Sequence, residues 1–167
     1  MKLAGFGPVI DASCETLILG SFPGVESLRM GHYYAHPRNQ FWPILQAVLG
    51  EPLTALGFEE RYRAVLAHRI AIWDVLAHCV RSGSLDSDIR MPAANDFDAL
   101  SRLGPRIRRV LFNGRAAGRF APAFSQRGFE TCVLPSTSPA HAAMSFERKL
   151  AAWREALAET LPSSIHA

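Results

Sequence analysis

Two adjacent tyrosines, Tyr33 and Tyr34, are followed at once by Ala35 and the cluster His36-Pro37-Arg38-Asn39. An aromatic ring beside small polar donors is suited to stacking on a planar base and reading its edge. The plainer alternative is that both tyrosines pack and His36 caps a local turn. Around them the common signatures of other chemistries are missing. There is no G-x-G-x-x-G and no GxxxxGK[ST], so no phosphate cradle of the dinucleotide or P-loop kind is expected. Ser21 has no GxSxG elbow, which argues against a hydrolase triad. The six histidines have no HExxH or His/Cys spacing, and Cys14, Cys79 and Cys132 are isolated and odd in number. A metal site, an iron–sulfur cluster and a disulfide framework are all disfavoured, and the cysteines read as inert thiols.

The elements that would position these groups follow from the apolar pattern. Leu17–Gly20 reads as a buried strand, and Gly20-Ser21-Phe22-Pro23-Gly24 breaks it. The chain is then expected to stay irregular to Asn39, which can cap a helix over Gln40–Leu49 that Gly50 ends. Pro43 falls in the first turn, where its missing N–H does no harm. Residues 1–15 read as a surface lead-in docked through Phe6, Val9 and Ile10. A helix over Phe58–His68, a strand over Arg69–Val75, a polar loop to Pro92 and a short helix over Asn95–Leu103 come next. A strand over Arg109–Asn113, a helix over Gly114–Phe124 and a strand over Thr131–Leu134 lead to Pro135-Ser136-Thr137-Ser138-Pro139. The last helix, Ser145–Leu161, aligns Phe146, Leu150, Trp153 and Leu157 on one face.

Strands alternating with helices imply a parallel sheet with right-handed crossovers. The fold class is α/β: a three-layer αβα sandwich around four parallel strands, formed by residues 1–167 as one domain. Loops after the strands of such a sheet emerge at one edge. Gly20–Asn39, Asp74–Pro92, Asn113-Gly114 and Pro135–His141 are therefore expected to converge.

Composition narrows the class further. Hydrophobic residues make up 49% and charged residues 20% of the chain, a balance typical of globular proteins. No apolar run approaches the roughly 20 residues that span a bilayer, and the N-terminus does not read as a signal peptide, which places the expected location in the cytoplasm. The net charge is +3, and apart from Lys2 and Lys149 every Lys/Arg cation is arginine. Arginine's planar fork suits phosphate, although the same usage also arises from a GC-rich genome.

The segment GSFPGVESLRMGHYYAHPRNQFW (20–42) resembles the first motif of the uracil-DNA glycosylase superfamily, with AHPRNQFW (35–42) its specific part. It is most similar to the mismatch-specific and hypoxanthine-DNA (deoxyinosine) branches, and PSTSPA (135–140) resembles the second motif of the deoxyinosine branch. The resemblance spans the chain from first strand to last helix. It implies base excision, in which a damaged nucleotide is flipped out of duplex DNA and its N-glycosidic bond hydrolysed without a cofactor.

Carried over residue by residue, the resemblance assigns several roles and removes others. The residue before the motif's proline, which handles water in the uracil and mismatch branches, is here Phe22. The asparagine important for catalysis in the deoxyinosine branch falls on Asn39, although helix capping accounts for an asparagine there as well. Tyr34 falls where the mismatch branch stacks a phenylalanine on the base. The backbone amides of Ser21 and Phe22, with Gly24 beside them, are expected to face the base. Asp74 stands where the uracil branch keeps a base-reading asparagine. As a carboxylate it can accept the N1–H of hypoxanthine or the N3–H of uracil, or else cap a turn or pair with an arginine. Leu134 replaces the polar residue that opens the second motif in the other branches, which disfavours uracil. Ser136, Thr137 and Ser138 are implied as phosphate ligands, with His141 and Arg38 as further DNA contacts. Asn113-Gly114 reads as a turn. The expectation is thus a metal-free, monomeric glycosylase acting on double-stranded DNA, with hypoxanthine as its base. Uracil or a G·U/G·T mismatch is the alternative within the class. A catalytically silent DNA-damage-binding module and an unrelated flavodoxin-like ligand domain are the alternatives outside it.

Overall fold

The computed structural model describes residues 2–158. Its centre is a parallel sheet built from β2 (Thr16–Gly20), β3 (Ile70–Asp74), β6 (Arg109–Asn113) and β7 (Glu130–Leu134), ordered β3-β2-β6-β7. The register pairs Gly20 with Asp74, Leu19 with Phe112 and Asn113 with Leu134. The C-terminal ends of all four strands therefore lie along one edge.

Alternation along each strand sends residues to opposite faces. Ile18, Ile72 and Leu111 join a core shared with α2 (Phe41–Leu49), α3 (Phe58–Ala67) and α7 (Phe146–Ala158). Leu17, Leu19, Trp73, Val110 and Phe112 face the other side, where Leu100 of α4 (Leu100–Leu103) and Phe124 of α6 (Ala121–Ser125) cover them. Both faces of the sheet are thus buried, as expected of a parallel sheet, and the αβα sandwich read from the sequence is borne out. On α2, six of nine residues are buried, and Gly50 closes the helix in the left-handed region at φ 69°, donating to the Gln46 carbonyl. Cys14 and Cys79 are buried and free, and burial pushes the Cys14 thiol up to about 11, so it stays protonated and unreactive at neutral pH.

Several elements differ from the sequence reading. The stretch before Asn39 is not wholly irregular: α1 (Val25–Met30) lies in it, capped by Gly31 at φ 74°. The polar segment after β3 is not a loop throughout. It forms β4 (Leu76–Val80) and β5 (Arg90–Ala94), and with β1 (Lys2–Ala4) they make an antiparallel sheet ordered β1-β4-β5. All five residues of β5 are exposed and one is Pro92, so this edge strand carries no apolar signal. The lead-in is accordingly part strand, and Val9 bridges Ile72. The Gly114–Phe124 helix is divided into α5 (Arg115–Gly118) and α6. A Cβ on Gly118 would come within 2.7 Å of Val133, so α5 lies close on β7, and Pro122 starts the next helix. The Asn95–Leu103 helix shortens to a 3-10 turn followed by α4. The predicted end of the last helix at Leu161 lies outside the described residues.

Candidate active site

The expected loops converge. A cavity of about 120 Å³ opens at the C-terminal edge of the sheet, lined from Gly20–Gly24, Tyr34, His36, Asn39, Asp74, Asn113 and Ser136–Pro139. It is open toward solvent and has no room for a dinucleotide.

Its floor is Gly20. A Cβ there would stand 2.5 Å from Asp74 Oδ1 and 2.8 Å from Tyr34 Oη. The missing side chain is what lets two polar groups from different loops meet. Asp74 is 4% exposed, and its Oδ2 has no hydrogen-bond partner among the described residues. Burial, and next the negative charge of Asp86, push its carboxyl up to about 7, against an opposing pull from Arg81.

Tyr34 adopts the left-handed backbone region at φ 53°, unusual for a bulky residue and characteristic of functional sites. Its ring stacks on Phe41 at 3.9 Å and 21°. Its hydroxyl is buried with no well-formed hydrogen bond among the described residues; burial raises its pKa well above the ordinary phenol value, while the Asn113 amide beside it pulls the other way. Tyr33 is a packing residue: its hydroxyl donates to the Gly7 carbonyl at 2.8 Å and its carbonyl accepts from Trp42 Nε1 at 3.0 Å. Anchoring Tyr33 in the core leaves Tyr34 at the cavity.

Asn39 lines the cavity at the mouth of α2, and its Oδ1 accepts the Phe41 N–H at 3.0 Å. The helix starts one residue later than expected, with Gln40 at the N-cap, so Asn39 stands one residue before the cap and satisfies the first helical N–H. The side chain keeps Nδ2 and one Oδ1 lone pair for a ligand. His36 is held locally, its Nδ1 accepting from the Arg38 N–H at 3.0 Å.

The first loop is clasped by the β4–β5 hairpin. Ser21 Oγ donates to Asp86 Oδ1 at 2.6 Å, and Ser84 Oγ accepts the Val25 N–H at 2.8 Å. Phe22 turns its ring inward, 7% exposed, beneath the Arg81 guanidinium at 5.3 Å. Arg81, itself buried, donates to the Pro23 carbonyl. Gly24 meets Ser84 only at ordinary contact distance, so close ligand approach is not forced there.

The second motif divides. Thr137 is 1% exposed; its N–H donates to Asn113 Oδ1 and its Oγ1 accepts from Asn113 Nδ2, both at 3.0 Å. Its carbonyl accepts the Gln40 N–H at 3.0 Å. These bonds engage the Thr137 N–H and one lone pair of Oγ1 inside the protein, leaving the hydroxyl proton to donate, and Thr137 also lines the cavity. Ser136 and Ser138 line the cavity and also a neighbouring groove of about 650 Å³, which takes in Arg115 and His141. Lys149, 2% exposed, donates to the His141 carbonyl at 2.6 Å, and Trp153 Nε1 donates to the Pro135 carbonyl at 3.0 Å, so α7 supports this loop. Leu134 is buried in the core, and Arg38 lies exposed outside the cavity lining. Among the described residues no three His, Cys, Asp or Glu side chains gather as a metal-ligand set, and no helix is long and apolar enough to cross a membrane.

Ser84, Asp86 and the clamping role of Asn113 escaped the sequence reading. Asn113 had a legible signal, a polar residue ending a buried strand, like Asp74. Asp86 had none, since Ser21 lies 65 positions away.

The model of the family described as "Uracil DNA glycosylase superfamily" matches residues 8–161. The chain belongs to the uracil DNA glycosylase superfamily. It is 40% identical over 156 residues to the hypoxanthine DNA glycosylase of Methanosarcina barkeri (strain Fusaro / DSM 804), covering 93% of this chain and 98% of the relative. It is 41% identical over 145 residues to the hypoxanthine DNA glycosylase of Methanosarcina acetivorans, covering 87% and 92% respectively. A solution NMR structure of a Methanosarcina acetivorans protein assigned to the uracil DNA glycosylases superposes with a TM-score of 0.83 at 39% identity, covering 93% of this chain and 98% of that one.

Proposed function

We propose that this protein is a DNA glycosylase of base excision repair that removes hypoxanthine from double-stranded DNA. The carrying observation is the cavity at the strand ends that brings Tyr34, Asp74 and Asn39 together on a glycine floor. Kinship to two proteins named hypoxanthine DNA glycosylase supports the choice of base. The protein is read as acting as a monomer, in the cytoplasm where chromosomal DNA is reached.

The duplex lies along the groove of Ser136, Ser138, His141 and Arg115, with Arg38 on the rim, and these groups meet backbone phosphate and sugar. The lesion nucleotide turns into the cavity, at a cost of a few kcal/mol that is least for a mispaired base. The base enters beside Tyr34, whose other face is backed by Phe41. The amides of Ser21 and Phe22 approach its carbonyl, with Gly24 beside them. Bond cleavage leaves an oxocarbenium-like sugar, and Asn39 orients the water that adds to it. An amide is no general base at neutral pH, so its work is positioning. Phe22 and Leu134, which replace polar groups of the other branches, belong to the core.

The test is single-turnover excision from duplexes carrying hypoxanthine, uracil, xanthine or thymine opposite each base, read as alkali-labile strand cleavage. Hypoxanthine is expected to be released fastest, and Asn39→Ala is expected to lose at least a hundredfold in rate. Faster release of uracil or of mismatched thymine makes the protein a uracil or mismatch enzyme instead. Binding of lesion duplex without an abasic product makes it a silent damage-binding module, and failure to bind DNA at low salt removes it from DNA altogether.

A further inference from the structure

We propose that Asp74 is the acid that protonates the departing purine, a role that rests on the reading of the protein as a hypoxanthine glycosylase. The sequence offered Asp74 as an acceptor for a base N–H; its surroundings assign it the opposite direction of proton traffic.

The geometry comes first. Asp74 ends β3 inside the cavity, with Oδ1 over Gly20 and Oδ2 without a partner among the described residues. A buried carboxyl oxygen with no partner is costly, and native structures keep such groups where a ligand will use them. The strand end is fixed from behind: Asn95 Nδ2 donates to the Asp74 carbonyl at 2.7 Å, and the Val75 N–H donates to the Gly20 carbonyl at 2.8 Å. The backbone that carries the carboxyl is therefore held in place.

The charged and titratable groups around it favour the protonated form. Asp86, on the β4–β5 hairpin, is held toward the first loop by Ser21 Oγ. Tyr33 and Tyr34, on the loop after α1, are neutral at any working pH because burial raises both phenols. Arg81, just after β4, is the opposing charge; its Nη2 donates to the Pro23 carbonyl and its guanidinium lies over the Phe22 ring, while Nε and Nη1 are buried without a partner among the described residues. Burial and Asp86 outweigh it, holding the carboxyl near 7, where an acid is both substantially protonated and able to give its proton up.

The step balances. The C1′–N9 bond breaks with its electron pair passing to the purine. The Asp74 proton passes to a ring nitrogen, N7 or N3, so hypoxanthine leaves neutral. Water adds to C1′ and the proton it releases restores the Asp74 acid. One water is consumed, an abasic sugar and hypoxanthine are formed, and nothing is oxidised or reduced. His36, Glu26 and Asp86 also line the cavity, but His36 Nδ1 accepts the Arg38 N–H, Glu26 bonds Arg29 and Asp86 accepts from Ser21 Oγ, so Asp74 is the lining carboxyl with a buried oxygen left open among the described residues. Asn39 has no proton to lose, so the two divide the work between leaving base and water.

The pH profile separates donor from acceptor. Single-turnover excision of hypoxanthine is measured from about pH 5.5 to 9 for the wild type, Asp74→Asn and Asp86→Asn. Affinity for a duplex carrying non-cleavable 2′-fluoro-deoxyinosine is measured alongside. As an acid, Asp74 gives a wild-type rate that falls with unit slope above about pH 7. Asp74→Asn is then expected to be slower by about a hundredfold or more, flat across that range, and little changed in duplex affinity. Asp86→Asn keeps the limb but moves it to lower pH, because one negative neighbour is gone; this arm stands even if Asp74→Asn fails to fold. A wild-type rate that rises through pH 7, an alkaline limb retained in Asp74→Asn, or a limb unmoved in Asp86→Asn overturns the acid role while leaving the glycosylase intact. No hypoxanthine release by the wild type at any pH overturns the glycosylase reading itself, and the acid role with it.

Discussion

Asn113 and Thr137 hold each other by two hydrogen bonds of opposite sense, the amide Nδ2 donating to Oγ1 and Oδ1 accepting from the backbone N–H, each at 3.0 Å. The Thr137 carbonyl then accepts the Gln40 N–H. The end of β6, the second motif and the mouth of α2 are thereby one unit, and Asn39 sits on its far side. A residue that reads as an ordinary turn is in fact the clamp between two motifs nearly a hundred positions apart.

Asn113→Ala leaves the buried Thr137 N–H and hydroxyl without their partner. An unsatisfied buried polar group costs ~1–3 kcal/mol, so urea unfolding should show a loss in that range. Excision should fall by about tenfold or more, because Gln40 loses its anchor and Asn39 with it. Asn113→Asp keeps the acceptor for the Thr137 N–H and should recover part of both. Wild-type excision by a folded Asn113→Ala would detach the clamp from catalysis.

Gly20→Ala tests the floor of the cavity. The added methyl would sit 2.5 Å from Asp74 Oδ1 and 2.8 Å from Tyr34 Oη, closer than real contacts allow. Asp74 is buried at a strand end and cannot yield cheaply, so the two side chains must part. Excision should drop by at least tenfold while the far-ultraviolet circular dichroism spectrum stays unchanged, since the strand itself accepts alanine. Full activity in this variant would mean that the two groups need not converge.

The sheet was legible because its strands are short apolar runs buried on both faces, as with Leu17-Ile18-Leu19 and Val110-Leu111-Phe112. The loops could be placed at one edge from topology alone. The β4–β5 hairpin was not legible, because Arg90–Ala94 is exposed on both faces and contains a proline. With it went Ser84 and Asp86, whose partners lie 59 and 65 positions away. The pairing of Thr137 with Asn113 was hidden for a related reason: a hydroxyl suits phosphate and amide equally, and the position of Asn113 is not local in sequence. Asp74 was visible as a polar strand end, but its protonation depends on Asp86 and on burial, neither of which is local in sequence.

Asp74 also ties stability to pH. Its carboxyl is raised in the folded protein, from an ordinary 3.8 to about 7, so the native state binds a proton that the unfolded chain releases. The associated stability is complete below pH 4 and is lost as pH rises through 7, by up to about 4 kcal/mol for this one group. Asp74→Asn cannot ionise and should escape that loss. Urea unfolding at pH 5 and pH 8 should therefore show the variant gaining on the wild type at the higher pH, so that it is more stable where it is less active. An equal change in both proteins would mean that Asp74 ionises freely.

Tyr34 offers two properties that separate by substitution, a ring stacked on Phe41 and a buried hydroxyl with no well-formed hydrogen bond among the described residues. Removing a stacking aromatic costs ~1–3 kcal/mol per base, which is about 5- to 150-fold in affinity. Tyr34→Ala should weaken binding to duplex carrying non-cleavable 2′-fluoro-deoxyinosine by that factor, with little effect on undamaged duplex. Tyr34→Phe keeps the ring and removes a costly, poorly bonded oxygen, so it should bind as the wild type does and unfold at slightly higher urea. If the hydroxyl instead takes up a partner on the flipped base, Tyr34→Phe will lose affinity for the lesion while gaining stability. Undiminished lesion binding by Tyr34→Ala would end the stacking role and leave the ring as a lid over Phe41.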